Sequence, residues 1–273
     1  MIMITRDGLP TPLRHAIDQT LAAERLEGWR PTDAHVDALT RLARDEVSFD
    51  DYLAAYRERH SKASPPARDY RQLFRRNRRY LIPGTTVLRN NFGVDSQTAL
   101  AELEFVATAG RMIAWHRMLA DGDIGIDGVN VRAIHQHLFA DVYPWAGNYR
   151  VTELRHDDSL FVWQSHLARL MALLDETTRA LAATGAGLEP AGLAYRLARL
   201  YADYNHIHPF REGNGRAGAL LLHTIAALCG RALDLTEITR DAWYAASRDS
   251  MPLRRDGRAN HRPFLPLLAG AVR

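Results

Sequence analysis

Nine consecutive residues, HPFREGNGR from His208 to Arg216, concentrate the groups in this chain that could do chemistry. The His208 imidazole titrates near neutrality and could take a proton from a reacting group. Four positions on, the Glu212 carboxylate could hold a magnesium ion, which is usually bound through one or two carboxylates plus substrate phosphate oxygens. Gly213 and Gly215 let the backbone turn tightly, and the apolar run AGALLLHTIAALCG that follows places the loop at a helix N-terminus. There, unpaired backbone N–H groups and the positive end of the helix dipole converge on an anion. Asn214 could offer its amide to a phosphate oxygen. Arg216, in the first turn, opposes the helix dipole unless a negative ligand offsets that repulsion. Phe210 fits an apolar peg anchoring the loop.

Two other readings compete. An interhelical turn with His208 satisfied by a carbonyl has no need of a carboxylate, an amide and two arginines threaded between glycines. A zinc site built on His206 and His208 has no standard ligand spacing to complete it. The phosphate cradle accounts for more of the residues.

The elements that must position this loop are mostly helical. Leu13, Ile17 and Leu21 recur at helical spacing until Gly28 and Pro31 stop the pattern. Thr32 offers an N-cap to a second helix carrying Val36, Leu39 and Leu42, and Ser48 with Asp51 makes a capping-box pattern before Tyr52, Leu53 and Tyr56. The proline-bearing stretch at 61–69 reads as a linker, which divides the chain into an N-terminal helical piece, 1–60, and a main domain, 70–273. In the main domain DSQTALAELEFVATAGRMIAWHRML, SHLARLMALLDETTRAL and AGLAYRLARLYADYNHI all carry spacings of three and four. The exception is Tyr149 to Trp163, where β-favouring residues flank a polar HDDS and predict a hairpin. The fold class expected is all-α with one small β-hairpin flap.

Composition narrows the function classes. With 273 residues, 47% hydrophobic and 25% charged, the chain has the makings of a globular core. No apolar run is long enough for a membrane span and the N-terminus lacks a signal core, so no membrane partner is expected and the localisation expected is cytoplasmic. The single cysteine, Cys229, lies in an apolar stretch and reads as a small core hydrophobe. The arginine cluster from Arg68 to Tyr80 reads as a solvated or partner-facing helix, because no nucleic-acid motif accompanies it.

HPFREGNGR resembles the motif HxFx(D/E)GNGRxxR of the Fic (Fic/Doc) family, whose members usually transfer AMP from ATP to a protein hydroxyl. The resemblance extends through YLIPGTTVLRNNFGV, IHQHLFADVYPWAGNYR and AALCGRALDLTEITRDAWYAAS, roughly residues 70 to 260. It implies ATP as substrate and Mg²⁺ as cofactor, with His208 as base toward a Tyr, Ser or Thr hydroxyl of a target protein and Glu212 as the magnesium ligand. Gly213, Asn214, Gly215 and Arg216 would meet the nucleotide phosphates. The flap, with Val151, Thr152, Glu153 and Leu154, would dock the target segment by strand pairing. Related toxins modify type II topoisomerase subunits, a target class that the resemblance implies for the family alone. The N-terminal AAERLEGWRPT resembles the inhibitory helix of VbhA-type antitoxins, with pattern (S/T)xxxE(G/N). Glu27 and Gly28 match it and Ala23 stands in place of the hydroxyl residue. That implies a self-inhibited enzyme, a toxin and antitoxin fused in one chain.

One departure bears on activity. The second arginine of GNGRxxR is replaced by Ala219, on the same helix face as Arg216, which removes a strong charge-assisted contact to phosphate and the cation expected to pair with Glu27. Arg150 and Arg211 are the cations that could substitute. A degenerate Fic-like protein that binds nucleotide or partner with little transfer, and transfer of another phosphate-linked group, are the alternatives this departure opens. The sequence is silent on oligomeric state.

Overall fold

The computed structural model describes residues 9–60, 79–156 and 159–273. The expected linker, 61–69, and most of the arginine cluster lie outside them.

The N-terminal helices form where the local signals place them. Helix α1 (Thr11–Leu26) ends just before Gly28. Helix α2 (Asp33–Ala43) starts from Thr32, whose hydroxyl accepts the His35 N–H, while His35 Nδ1 accepts the Thr32 N–H in return. Helix α3 (Phe49–His60) starts from Ser48, whose hydroxyl both accepts the Asp51 N–H and donates to its carboxylate. These caps satisfy donors that a helix start leaves without intrahelical partners.

Helix α4 (Gln97–Asp121), capped by Ser96 and closed by Gly122, is the longest described element. Helices α1, α2 and α3 all pack on it. The chain continues through α5 (Val131–Phe139), α6 (Leu167–Thr184), α7 (Pro190–Ile207) and α8 (Asn214–Leu228), then α9 (Arg240–Asp249) and α10 (Leu265–Ala271). Helix α8 sits at the centre and meets α1, α4, α5, α6 and α7. It is apolar around most of its circumference, with Ala217, Leu220, Leu222 and Ile225 fully buried, as a central helix must be. Leu21 and Leu26 of α1 and Leu39 of α2 share one apolar core with Leu100 and Val106 of α4 and Leu222 of α8. Cys229 is a free, buried thiol in the same core. Among the described residues no helix is long and apolar enough to cross a membrane.

The mainly helical class is as expected, and the hairpin needs correction. Instead of a flap spanning Tyr149 to Trp163, pairing among the described residues of that stretch is confined to two rungs, Arg155 with Leu160 and His156 with Ser159, in strands β1 (Arg155–His156) and β2 (Ser159–Leu160). Val151, Thr152, Glu153 and Leu154 belong to no strand. The reason is Arg150, whose guanidinium donates to the Thr152 and Val162 carbonyls that a longer hairpin would have used across its ladder.

Candidate active site

Helix α7 ends at Ile207, and His208 takes a left-handed conformation, φ 47°, which turns the chain sharply toward Pro209. A non-glycine residue in that region costs on the order of 1–3 kcal/mol and persists only where its surroundings enforce it. Arg150 is the enforcer. Buried at 1% exposure, it donates from Nε to the His208 carbonyl at 2.9 Å and from Nη2 to the Ile207 carbonyl at 3.3 Å, and its backbone N–H donates to Pro209 O at 2.8 Å. The sequence reading offered Arg150 as a neutraliser of phosphate; its donors are taken by carbonyls. The His208 ring stacks on Phe161, centroids 3.9 Å apart and planes 16° from parallel.

The loop that follows is clamped from within. Asn214 accepts the Phe210 N–H and donates to the Phe210 carbonyl, both at 2.9 Å, so its amide holds the turn and is not directed at a ligand. Phe210 is fully buried, the peg that was expected, and stacks on His135 at 3.8 Å. His135 Nδ1 accepts the Gly147 N–H at 2.9 Å, which leaves the proton on Nε2 to donate to the Glu212 carbonyl at 3.0 Å. Burial lowers the His135 pKa to about 3, so the ring stays neutral and this tautomer is kept.

Gly213 supplies the N-cap of α8 with φ 82°, open to glycine at little cost. The first N–H groups of α8 therefore face the end of the loop, as an anion cradle requires. A carboxylate lies against the first turn of α8. A Cβ on Gly215 would overlap the Glu27 side chain, which enters from the C-terminal end of α1. Burial, with Glu212 and Glu104 nearby, raises the Glu27 pKa, while Arg216 and Arg240 act against that rise. Glu212 accepts the Gly213 N–H at 3.1 Å, and burial and the neighbouring Glu104 raise its pKa as well. His208, Glu212 and Gly213 thus lie in one loop that runs into Asn214 and Gly215 of the first turn of α8, with Glu27 brought to it across almost two hundred residues of sequence.

Arg216 differs from its expected place. It is buried, bonded through Nη2 to the Glu104 carboxylate and through Nη1 to the Thr108 hydroxyl at 3.2 Å, with Glu24 at 3.8 Å. Phe105 and Phe139 take the faces of its guanidinium, at 5.0 and 4.8 Å. Thr108 lies 2.6 Å from Glu24, and the Tyr143 hydroxyl donates to Glu104. Burial raises the Glu24 pKa to about 8 against the pull of Arg216. The arginine of the motif therefore ties α8 to α4 and α1. Ala219, three residues on, is buried at 3% exposure.

Glu24, Glu104 and His135 escaped the sequence reading as site residues, and Arg150 entered it as a phosphate cation and not as the clamp it is. Glu24 follows Ile17 and Leu21 on the apolar stripe of α1, and Glu104 follows Leu100 on that of α4; a carboxylate on such a stripe was the available signal. His135 and Arg150 carried no comparable one.

A protein from Sinorhizobium fredii, "Probable protein adenylyltransferase y4lH", is 32% identical over 156 residues, covering 57% of this chain and 79% of its own length. The chain belongs to the Fic/DOC family. The Fic/DOC family pattern itself matches residues 126–226, from just before α5 to near the end of α8. Among further members, "Probable protein adenylyltransferase Fic" of Escherichia coli is 29% identical over 173 residues, 62% of this chain and 82% of that one. In fold, the chain is similar to the BepC protein of Bartonella tribocorum, solved with bound AMPPNP, at TM-score 0.57 and 22% identity over 71% of this chain and 96% of that one.

Proposed function

We propose that this Fic/DOC protein is a protein adenylyltransferase that moves AMP from ATP to a Tyr, Ser or Thr hydroxyl of a target protein and is held inactive by its own Glu27. The observation that carries the reading is the Glu27 carboxylate over Gly215 at the head of α8. Two anions cannot share that cradle without strong repulsion, so Glu27 excludes the phosphate chain or forces it into an unproductive pose.

In this reading the left-handed turn presents His208 as the base that takes the proton of the target hydroxyl. The N–H groups from Gly213 to Gly215 receive phosphate oxygens once Glu27 withdraws. The residues present suit a magnesium ion: Glu212 is a single half-buried carboxylate with like charges around it, a donor set that Mg²⁺ completes with phosphate oxygens. Bound there, the ion would neutralise charge on the phosphates. Val151 to Leu154 is the stretch proposed to meet the target. Val151 is exposed, and Arg150 fastens the base of that stretch to the His208 turn. Helix α1 then acts as an antitoxin-like segment fused to its toxin.

A second reading has support from Arg216 and Ala219. With Arg216 engaged by carboxylates and no arginine at 219, α8 offers no free guanidinium to a triphosphate, which favours nucleotide binding with little transfer or a donor with fewer phosphates. Incubation with α-labelled ATP, Mg²⁺ and candidate targets, type II topoisomerase subunits first, separates the two. Adenylyl transfer predicts label on protein that rises at least tenfold with Glu27→Gly and vanishes when His208→Ala is added. Nucleotide binding by Glu27→Gly with no labelled protein in lysate or with purified targets supports the second reading.

A further inference from the structure

Away from the loop, α1, α4 and α8 each bring a histidine to one point. His15 of α1, His116 of α4 and His223 of α8 have ligand nitrogens within 4.8 Å of one another. His116 and His223 are buried, and the Nε2 atom of each has no hydrogen-bond partner. Leaving a buried polar atom unsatisfied costs about 1–3 kcal/mol, so two in contact call for an explanation. The rings meet edge to face, with centroids 4.9 Å apart for His116 and His223 and 6.0 and 6.3 Å for His15 against each. That leaves room between the nitrogens.

We propose that His15, His116 and His223 bind a divalent transition metal, zinc in the first instance, which fastens α1 to α4 and α8. Three imidazoles are a common zinc ligand set, with a fourth position for water, whereas magnesium and calcium require oxygen donors that this cluster lacks. Zinc at about 2.0 Å from each nitrogen would draw the three to roughly 3.3 Å apart, a closure within reach of side-chain rotation. Burial lowers the pKa of all three rings, so their lone pairs are available at neutral pH. Asp18 and Asp234 lie close enough to His15 to favour a cation beside it. The site does not depend on the adenylyl-transfer reading, since none of its residues belongs to the loop.

The full chain, prepared without a histidine tag and stripped with EDTA, tests this with Zn²⁺ and Co²⁺. Expected are about one equivalent of Zn²⁺ per chain by metal analysis after gel filtration, a rise in Tm of several degrees, and cobalt ligand-field absorption of a nitrogen-rich tetrahedral site. His15 is half-buried, so His15→Ala should keep the helical circular dichroism of the metal-free chain and lose at least tenfold in zinc affinity. Should that variant fail to fold, the wild-type stoichiometry and cobalt spectrum decide alone. Less than about 0.1 equivalent of bound Zn²⁺ with unchanged Tm, or an unaltered cobalt spectrum in a folded His15→Ala, overturns the site and leaves three neutral rings packed on one another.

Discussion

The Glu27 carboxylate lies where a side chain on Gly215 would have to be. The two residues are on different helices, α1 and α8, and the fit works only because one lacks a Cβ. Gly215→Ala should therefore force Glu27 aside and cost about 1–3 kcal/mol, the range for overpacking a closed site. In a Glu27→Ala background the same change should be neutral or stabilising, because alanine is the better helix former by up to about 1 kcal/mol. Urea unfolding of the four proteins gives the coupling directly. Additive effects would mean that Glu27 does not occupy the cradle in solution.

Glu24 makes stability depend on pH in a direction unusual for a carboxylate. Its pKa in the fold, about 8, stands above the ordinary 4.5, so between those values the native chain keeps a proton that the unfolded chain has released. The contribution is fully present below about pH 4.5 and is lost as pH rises toward 8. Its slope approaches at most about 1.4 kcal/mol per pH unit. Glu24→Gln, neutral throughout, should lose less stability than wild type between pH 6 and 8. Parallel profiles from denaturant titrations at several pH values would show Glu24 ionised across that range.

The helix starts were legible because their causes are local: Thr32, Ser48 and Ser96 each cap within three residues of themselves. The loop was legible for the same reason, since His208, Glu212 and the glycines lie within one turn of chain. What surrounds Arg216 was not. Glu24 and Glu104 reach it from 192 and 112 residues away, and no local spacing announces which cation an inward carboxylate will meet. Arg150 misled for a related reason. Its neighbours read as a strand, but a buried guanidinium with five donors captured carbonyls that a ladder would otherwise have paired.

His135 supports the loop from below and gives stability the opposite pH dependence. His135→Ala should cost about 2–4 kcal/mol at pH 7, by opening a cavity against Phe210 and leaving the Gly147 N–H and Glu212 carbonyl unpaired. The pKa, lowered to about 3 by burial, means that below 6.5 the unfolded chain takes up a proton that the native ring refuses. Stability is thus lost as pH falls through that range. The gap between wild type and His135→Ala should narrow by about 1 kcal/mol from pH 7 to 5.5. A constant gap would mean that the ring is protonated in the fold.

Arg150 is the residue on which the His208 geometry depends most. Its guanidinium spans the carbonyls of Thr152, Val162, Ile207 and His208, a planar fork that the point charge of lysine cannot reproduce. Arg150→Lys keeps the charge yet, with three donors for four carbonyls, leaves at least one of them without a donor, at a cost of about 1–3 kcal/mol. With the clamp gone, His208 should relax from its left-handed conformation, because a strained turn persists only where its surroundings enforce it. Hydrogen exchange should then quicken at the His208 N–H, which donates to Tyr204 at 2.9 Å. Transfer by Glu27→Gly should fall at least tenfold when Arg150→Lys is added, with nucleotide affinity little changed, because the cradle belongs to α8 and the base to the turn. A stable Arg150→Lys with wild-type exchange at His208 would show that the turn holds itself.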